Sequence, residues 1–459
     1  MQNIIRKLHS IFGTNNVLSD VAQRWTYGYD NSRRQALPDA VVFATNCEQL
    51  IALMQLCNEL MIPIIPRGRG TGTTGATVPD QGGIVVSFEK MQQILEINPD
   101  DRLVVVEPGV VNKELQQKLA EYKFFWPPDP SSAAVCTIGG NLAYNAAGPK
   151  AVKYGTPRDN TLGLTAITGT GQEIRCGVRT SKGVVGYDLT RLLIGSEGTL
   201  GLITQATLRL TPLPEATCTL RALYQDINSA AAAVAAIMAQ PITPCALEFM
   251  DGVAVQLANE QGNLGLSPQI GAMLIIEVDG AKDCVTASAN QIATTAAVSG
   301  MLECTIATNI SEVKQLWQAR KALSPALRKI APKKVNEDVV VPVSKMPIFI
   351  KKLSELEQIY GIKIVNFGHA GNGNIHVNLL INPDNSVEMA QANQCLTAMF
   401  DIVLNLGGTL SGEHGVGLEK RDFVNKELSP AALNLMWAIK RQFDPNNILN
   451  PGKSLPNNN

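Results

Sequence analysis

Pro66-Arg67-Gly68-Arg69-Gly70-Thr71-Gly72-Thr73-Thr74-Gly75 is the stretch on which the reading of the fold turns. Gly70, Gly72 and Gly75 satisfy the GxGxxG pattern by letter. In a nicotinamide site that pattern opens a helix whose N-terminus meets the pyrophosphate. Here Ala76-Thr77-Val78-Pro79 and then Gly82-Gly83 follow, leading to a strand-like run. Without the helix, the nicotinamide reading fails. What the loop can still do is gather several backbone N–H groups around one anion, with threonine hydroxyls beside them. A merely flexible loop is the alternative at this point.

Outward from this loop, residues 40–66 read as strand, helix, strand. Ala40 to Ala44 is β-rich, Glu48 to Met61 repeats apolar residues at helical spacing, and Ile62, Ile64 and Ile65 lead into Pro66. Further strands are expected at Ile84 to Ser87 and Leu103 to Val106. A helix is expected at Asn112 to Tyr122, with Asn112 as its N-cap. Residues 127–158 read as a second dense loop region: Pro127-Pro128-Asp129-Pro130-Ser131-Ser132, Thr137-Ile138-Gly139-Gly140-Asn141, Asn145-Ala146-Ala147-Gly148 and Lys153-Tyr154-Gly155. Gly195-Ser196-Glu197-Gly198-Thr199-Leu200-Gly201 is a third. Three loops of small residues in one half let backbone pack against a large, extended ligand such as a dinucleotide. Strands at Leu162 to Thr168 and Gly201 to Leu210 close this half, and Thr211-Pro212-Leu213-Pro214 marks a boundary.

Beyond the boundary, strand-like runs alternate with longer helical ones: Leu220 to Tyr224 then Ile227 to Gln240, and Ala272 to Val278 then Thr286 to Ser299. This texture predicts an antiparallel sheet covered by helices. A last helix is expected from Ser429 through Lys440 and Arg441.

Composition narrows the function. The 459 residues include 39 basic and 40 acidic side chains, so no global field favours nucleic acid. At 45% hydrophobic, the chain has material for large cores. Its nine cysteines form no CxxC pair, which favours a reduced, cytoplasmic protein. The first twenty residues lack the apolar run of a signal peptide, and Ala230 to Ala239 is too short to span a bilayer.

Histidine is scarce, at four, and three fall late: His369, His376 and His414. Asn372-Gly373 is a favoured type I′ hairpin turn between two strand-like runs. If it forms, His369 faces His376 across the strands, close enough for both imidazoles to chelate one ion. Glu413, in Ser411-Gly412-Glu413-His414-Gly415, adds a carboxylate. Two histidines and a glutamate make a catalytic type of divalent site. Three unrelated polar residues in loops fit the spacing equally well.

The segments PRGRGTGTTG, PPDPSS, TIGGN, KYGTPRDN, GYDLTRLLIGSEGTLG and FDPNNILNPGK resemble, in order and over nearly the whole chain, the vanillyl-alcohol oxidase/p-cresol methylhydroxylase flavoproteins. The likeness is greatest to their FAD-dependent D-2-hydroxyacid dehydrogenase branch. The resemblance implies an α+β fold: a two-part FAD-binding domain, residues 1–214 with 411–459, and an inserted antiparallel-sheet cap domain, residues 215–410. It places FAD against Pro66, Arg67, Gly68, Gly70, Thr71, Gly72, Thr73 and Thr74. It adds Pro130, Ser131, Gly139, Gly140, Asn145, Gly148, Tyr154 and Gly155 from the second loop region, and Glu197, Gly198, Ile203 and Asn450. Some relatives bond the flavin through a loop histidine or cysteine. No histidine lies between Arg33 and Gly368, and Cys136 is expected to be unbonded, so the FAD is expected to be non-covalent.

The same resemblance makes His369, His376 and Glu413 ligands of a divalent metal, zinc first, with Mn2+ or Fe2+ as alternatives, and makes His414 the general base. It assigns Arg320 to the substrate carboxylate, where an arginine fork suits the geometry, although a solvated helix face would explain an isolated arginine. Ser324, one turn later, and Asn378, on the face of His376, join the substrate site. Relatives acting on diacids carry a lysine where this chain has Asn336. The implied reaction oxidises a short D-2-hydroxy acid, D-lactate first, with D-2-hydroxyglutarate or glycolate (as an oxidase's FAD subunit) as alternatives. Electrons would pass to a quinone, a cytochrome or an electron-transfer flavoprotein. A homodimer and peripheral contact with the inner membrane are compatible with this reading. A nucleotide-binding protein without turnover, or a sugar or alcohol oxidase on the same scaffold, is the competing class.

Overall fold

The apolar runs around the glycine loop become parallel strands. Val17–Leu18 (β1), Ala40–Phe43 (β2), Ile64–Arg67 (β3) and Ile84–Ser87 (β4) form a sheet in the order β1-β2-β4-β3, with β2 and β3 each parallel to β4. The helix Cys47–Leu60 joins β2 to β3. Asn46 caps it by accepting from the Gln49 N–H, and Met61 ends it in the left-handed conformation. Its Leu50, Leu53, Met54 and Cys57 are buried, as spacings of three and four require.

Ile94–Asn98 (β5) and Leu103–Val106 (β6) begin a second sheet. Phe124–Phe125 (β7), Thr161–Thr168 (β8), Glu173–Gly177 (β9), Gly201–Arg209 (β10) and Thr211–Pro212 (β11) follow. The sheet is antiparallel in the order β5-β6-β10-β8-β9, while β7 and β11 form a separate ribbon. Two expectations need correction here. Asn112 does not cap the helix Asn112–Ala120; Val111 stands at the cap, and the buried Asn112 amide instead donates to Pro128 O and Asn141 Oδ1. Nor is 127–158 loop throughout. Thr137 caps a helix, Ile138–Tyr144, by accepting from Gly140 N–H, and Ala151–Tyr154 is a single helical turn. Two adjacent glycines in the first turn hid the longer helix, because glycine is a poor helix former.

In the computed structural model, which describes residues 2–456, these elements make one of two compact units. The first holds the chain up to Gly148, Gly155–Leu213, and the stretch from Glu413 onward. That last stretch is tied in by a buried cluster. Asp444 accepts from the Ile448 and Leu449 N–H groups, and Lys440 pairs with Asp444 while donating to Thr199 O and Leu449 O, each at 2.8 Å. Leu449 thereby lies beside β3, with Ile64 N–H donating to Ile448 O and Asn450 N–H to Ile64 O.

The second unit holds Pro149–Tyr154 and Pro214–Gly412. Ala216–Tyr224 (β12), Ala246–Asp251 (β13), Ala272–Gly280 (β14), Met301–Ile306 (β15), Lys333–Val340 (β16), Lys363–His369 (β17) and Asn374–Ile381 (β18) form one antiparallel sheet, ordered β15-β12-β14-β13-β17-β18-β16. One face packs against the helices Gly252–Gly262 and Ile310–Ala326, through Met250, Met273, Ile275, Val365 and Phe367. Helices Ile227–Met238, Lys282–Ala296, Met346–Tyr360 and Ser386–Asn405 pack with the remaining strand surface. No described helix is long and apolar enough to cross a membrane.

Lys440→Met would strand the buried Asp444 carboxylate, and breaking a buried pair from one side costs about 3–5 kcal/mol. The expected result is a lower urea midpoint for the first unit; an unchanged midpoint would show that the pair contributes little.

Candidate active site

Strand register builds the polar centre of the second unit. Glu248 on β13 pairs with His369 on β17; Phe367 on β17 pairs with His376 on β18; His376 pairs with Asp338 on β16. Side chains alternate along a strand, so Glu248, His369, His376 and Asp338 share one face. It is the face covered by the helix Ile310–Ala326. That helix is started by Asn309, which accepts from Glu312 N–H, and it turns Leu316, Ala319, Arg320 and Leu323 inward.

The hairpin differs from the sequence expectation. Ala370–Asn372 forms a turn of 3-10 helix and Gly373 is left-handed, so the connection is longer than a two-residue turn. His369 faces Glu248, not His376. The two imidazoles are nonetheless neighbours on the same face, with ring centroids 5.2 Å apart and nearly perpendicular.

Each ring turns Nδ1 toward a carboxylate. His369 Nδ1 lies 2.5 Å from Glu248 Oε1, and His376 Nδ1 lies 3.6 Å from Asp338 Oδ1. The other oxygen of Glu248 pairs with Arg320 Nη2 at 2.7 Å. The Arg320 guanidinium also sits over the Phe367 ring, 4.8 Å from its centroid, and its buried Nε makes no hydrogen bond. Burial works to raise the Glu248 carboxyl, but His369 and Arg320 beside it outweigh that and hold it below its ordinary value. Asp338 also accepts from Asn374 Nδ2 (2.6 Å) and from Gly412 N–H (3.0 Å).

The other substrate candidates are placed differently. Asn378 is fully buried; its amide donates to Val365 O and His376 O and accepts from Asn336 Nδ2 at 2.6 Å. Ser324 is exposed, and Lys334 Nζ binds both its hydroxyl and its carbonyl. Sequence reasoning missed Glu248. Its strand, Cys245-Ala246-Leu247-Glu248-Phe249-Met250-Asp251, is buried on both faces and shows no clean alternation.

In the first unit, the glycine loop leads to β4 with no intervening helix, which removes the nicotinamide geometry. Among the described residues, nothing accepts a hydrogen bond from the backbone N–H groups of 69–74. Asn450 donates from Nδ2 to Ala76 O and Glu197 O, while its buried Oδ1 has no donor. A row of open N–H groups and a buried open acceptor suit a ligand bearing both phosphate and hydroxyl groups.

Known proteins share this architecture and sequence. Residues 213–454 match the C-terminal domain of FAD linked oxidases, and residues 38–177 match an FAD binding domain. The chain is 37% identical over 453 residues to the glycolate oxidase subunit GlcD of Bacillus subtilis, covering 98% of this chain and 96% of the relative. It is 34% identical over 430 residues to a D-lactate dehydrogenase of Anaerostipes hadrus, covering 91% and 90%. It is 32% identical over 459 residues to the D-2-hydroxyglutarate dehydrogenase of Stutzerimonas stutzeri, covering 98% of each. The chain belongs to the FAD-linked oxidases. The fold of p-cresol methylhydroxylase superposes with a TM-score of 0.80 over 100% of this chain and 97% of the other, at 19% identity.

In this FAD-linked oxidoreductase the sequence-assigned cofactor residues fall into two groups. The 69–74 segment and Asn450 Oδ1 keep unfilled hydrogen-bonding capacity. Others spend theirs inside the protein. Arg67 is buried and donates to Tyr29 O at 2.7 Å. Gly139 N–H goes to Pro108 O, Gly140 N–H to Thr137 Oγ1, and Gly148 N–H to Glu413 Oε2 at 2.7 Å. Tyr154 lies in the second unit and donates from its hydroxyl to Asp279 Oδ2 at 2.8 Å. Glu197 accepts from Val416 N–H, Gly417 N–H and Ser454 Oγ, and burial raises its carboxyl. It thus holds the turn just after His414, whose own carbonyl accepts from Thr74 Oγ1. Cys136 is buried beside Asn141, and burial raises its thiol, which opposes thiolate chemistry.

Gly72 tests the loop. A Cβ there would stand 2.5 Å from the Tyr144 hydroxyl. Gly72→Ala must displace Tyr144 or the 69–74 backbone and is expected to give a folded protein with reduced flavin absorption; full flavin content would show that the cofactor does not depend on this backbone position.

Proposed function

We propose that the protein oxidises a short D-2-hydroxy acid, D-lactate foremost, to the 2-oxo acid. The observation that carries this is the buried group on the second unit's sheet. An arginine fork stands beside two imidazoles whose Nδ1 atoms face carboxylates, which leaves each Nε2 as a ligand atom.

His369 and His376, with Glu413, are the proposed metal ligands; two imidazoles and a carboxylate suit zinc, with Mn2+ or Fe2+ next. Bound FAD would supply the acceptor for the C2 hydrogen, and a bound divalent ion the Lewis acidity that eases loss of the hydroxyl proton. Arg320 holds the substrate carboxylate with the part of its fork that Glu248 leaves open. His414 takes the hydroxyl proton as general base. Ser324, one helical turn from Arg320, and Asn378, on the face of His376, are assigned to the same substrate. The FAD is held non-covalently along the 69–74 loop, and a quinone, a cytochrome or an electron-transfer flavoprotein takes its electrons. The proposed location is the cytoplasm or the inner surface of its membrane.

Asn336, neutral and bound to Asn378, favours a monoacid. D-2-Hydroxyglutarate is the second reading, because the Lys334 ammonium sits at Ser324, one helical turn from Arg320. Anaerobic bleaching of the flavin by D-lactate, glycolate and D-2-hydroxyglutarate ranks them; D-lactate is expected first, and bleaching by none would end the hydroxy-acid reading. His376→Ala should lose metal and nearly all turnover while retaining FAD, and full activity without metal would remove the metal from the reaction. Arg320→Lys keeps the charge but loses the fork. It should cost about 2–5 kcal/mol in kcat/KM, seen chiefly as a raised KM.

A further inference from the structure

We infer that Glu248 is a positioning residue that sets the His369 ring and the Arg320 guanidinium with a single carboxylate, tying metal binding to substrate-carboxylate binding. The inference rests on the metal and substrate reading proposed above and adds a residue to it. Glu248 sits at mid-strand on β13, 1% exposed. A carboxylate there is costly unless both oxygens are engaged. Each has one charged or ionisable partner: Oε1 meets His369 Nδ1 at 2.5 Å, and Oε2 meets Arg320 Nη2 at 2.7 Å.

The consequences differ on the two sides. At His369, a carboxylate on Nδ1 selects the tautomer with its proton there, so the Nε2 lone pair faces outward as a ligand. At Arg320, the pair fixes one Nη while Phe367 supports the plane from below, so the guanidinium keeps one orientation without help from substrate. Asp338 is a weaker orienter of His376: it stands 3.6 Å away and shares its oxygens with Asn374 and Gly412. Glu248 therefore links two functions that sit on different elements, a strand and a helix, through one rigid backbone position.

The test compares wild type and Glu248→Gln, both loaded with FAD and stripped of metal, in zinc titrations against a chromophoric chelator. Glutamine keeps the shape but cannot accept from both partners. Zinc affinity is expected to fall about 10–100-fold, with FAD content unchanged and with both a lower kcat and a higher KM for D-lactate. Equal zinc affinity in the two proteins would overturn the inference. A measurement on wild type alone guards against a variant that fails to fold. With four histidines in the chain, long-range nitrogen–proton spectra of metal-free, histidine-labelled protein can be assigned by the signal lost in His369→Gln. An Nδ1-protonated His369 is expected, and an Nε2-protonated one would overturn the inference while leaving the metal reading intact. A wild-type protein that takes up no zinc would sink both together.

Discussion

Everything in the second unit's polar centre depends on strand register. Glu248, His369, His376 and Asp338 come from four different strands, and they meet only because β13, β17, β18 and β16 are paired in one alignment. A slip of one residue in any of these strands would move its polar side chain to the opposite face. The large apolar residues on the same strands prevent that slip. Met250, Val365 and Phe367 are buried against the helices Gly252–Gly262 and Ile310–Ala326, while Leu247, Phe249 and Val377 are buried on the other side. Hydrophobic packing on both faces thus fixes where the charges fall, and the charges then satisfy one another.

The first unit works by a complementary rule. Among the described residues its 69–74 loop keeps open N–H groups, while polar side chains elsewhere in the unit are spent on backbone. Glu197, Asn450 and Lys440 each bind backbone atoms of segments far apart in sequence. At several glycines of this unit the neighbouring chain itself passes too close for a Cβ, as Pro108 does at Gly139 and the Thr137 hydroxyl does at Gly68. Density of small residues therefore marks close packing of chain on chain in this unit.

Much of this was legible beforehand. The strands β2, β3, β4, β6 and β10 and the antiparallel layer after Leu213 follow from short apolar runs and turn residues. The histidine pair stands out in the sequence by scarcity and spacing, and its rings are neighbours in the fold. The rest is hidden in the sequence for physical reasons. The helix Ile138–Tyr144 opens with paired glycines. Between His369 and His376, Asn-Gly fits a longer connection as well as a two-residue turn, and a third strand, β13, claims His369 as its partner. Glu248 was invisible because its importance lies wholly in long-range pairing. A glutamate within an apolar run announces a buried charge only once Arg320 and His369 are known to face it.

The C-terminal stretch has a consequence for the order in which the protein is made. Leu449 completes the edge of β3, and Lys440 and Asp444 lock it there. Those residues leave the ribosome after the second unit, which is complete once Gly412 has emerged. Domains fold as units during synthesis. The inserted unit can therefore close first, and the unit that begins the chain must wait with an apolar strand edge uncovered. Losing the last two dozen residues would remove the keystone of the first unit rather than trim a tail.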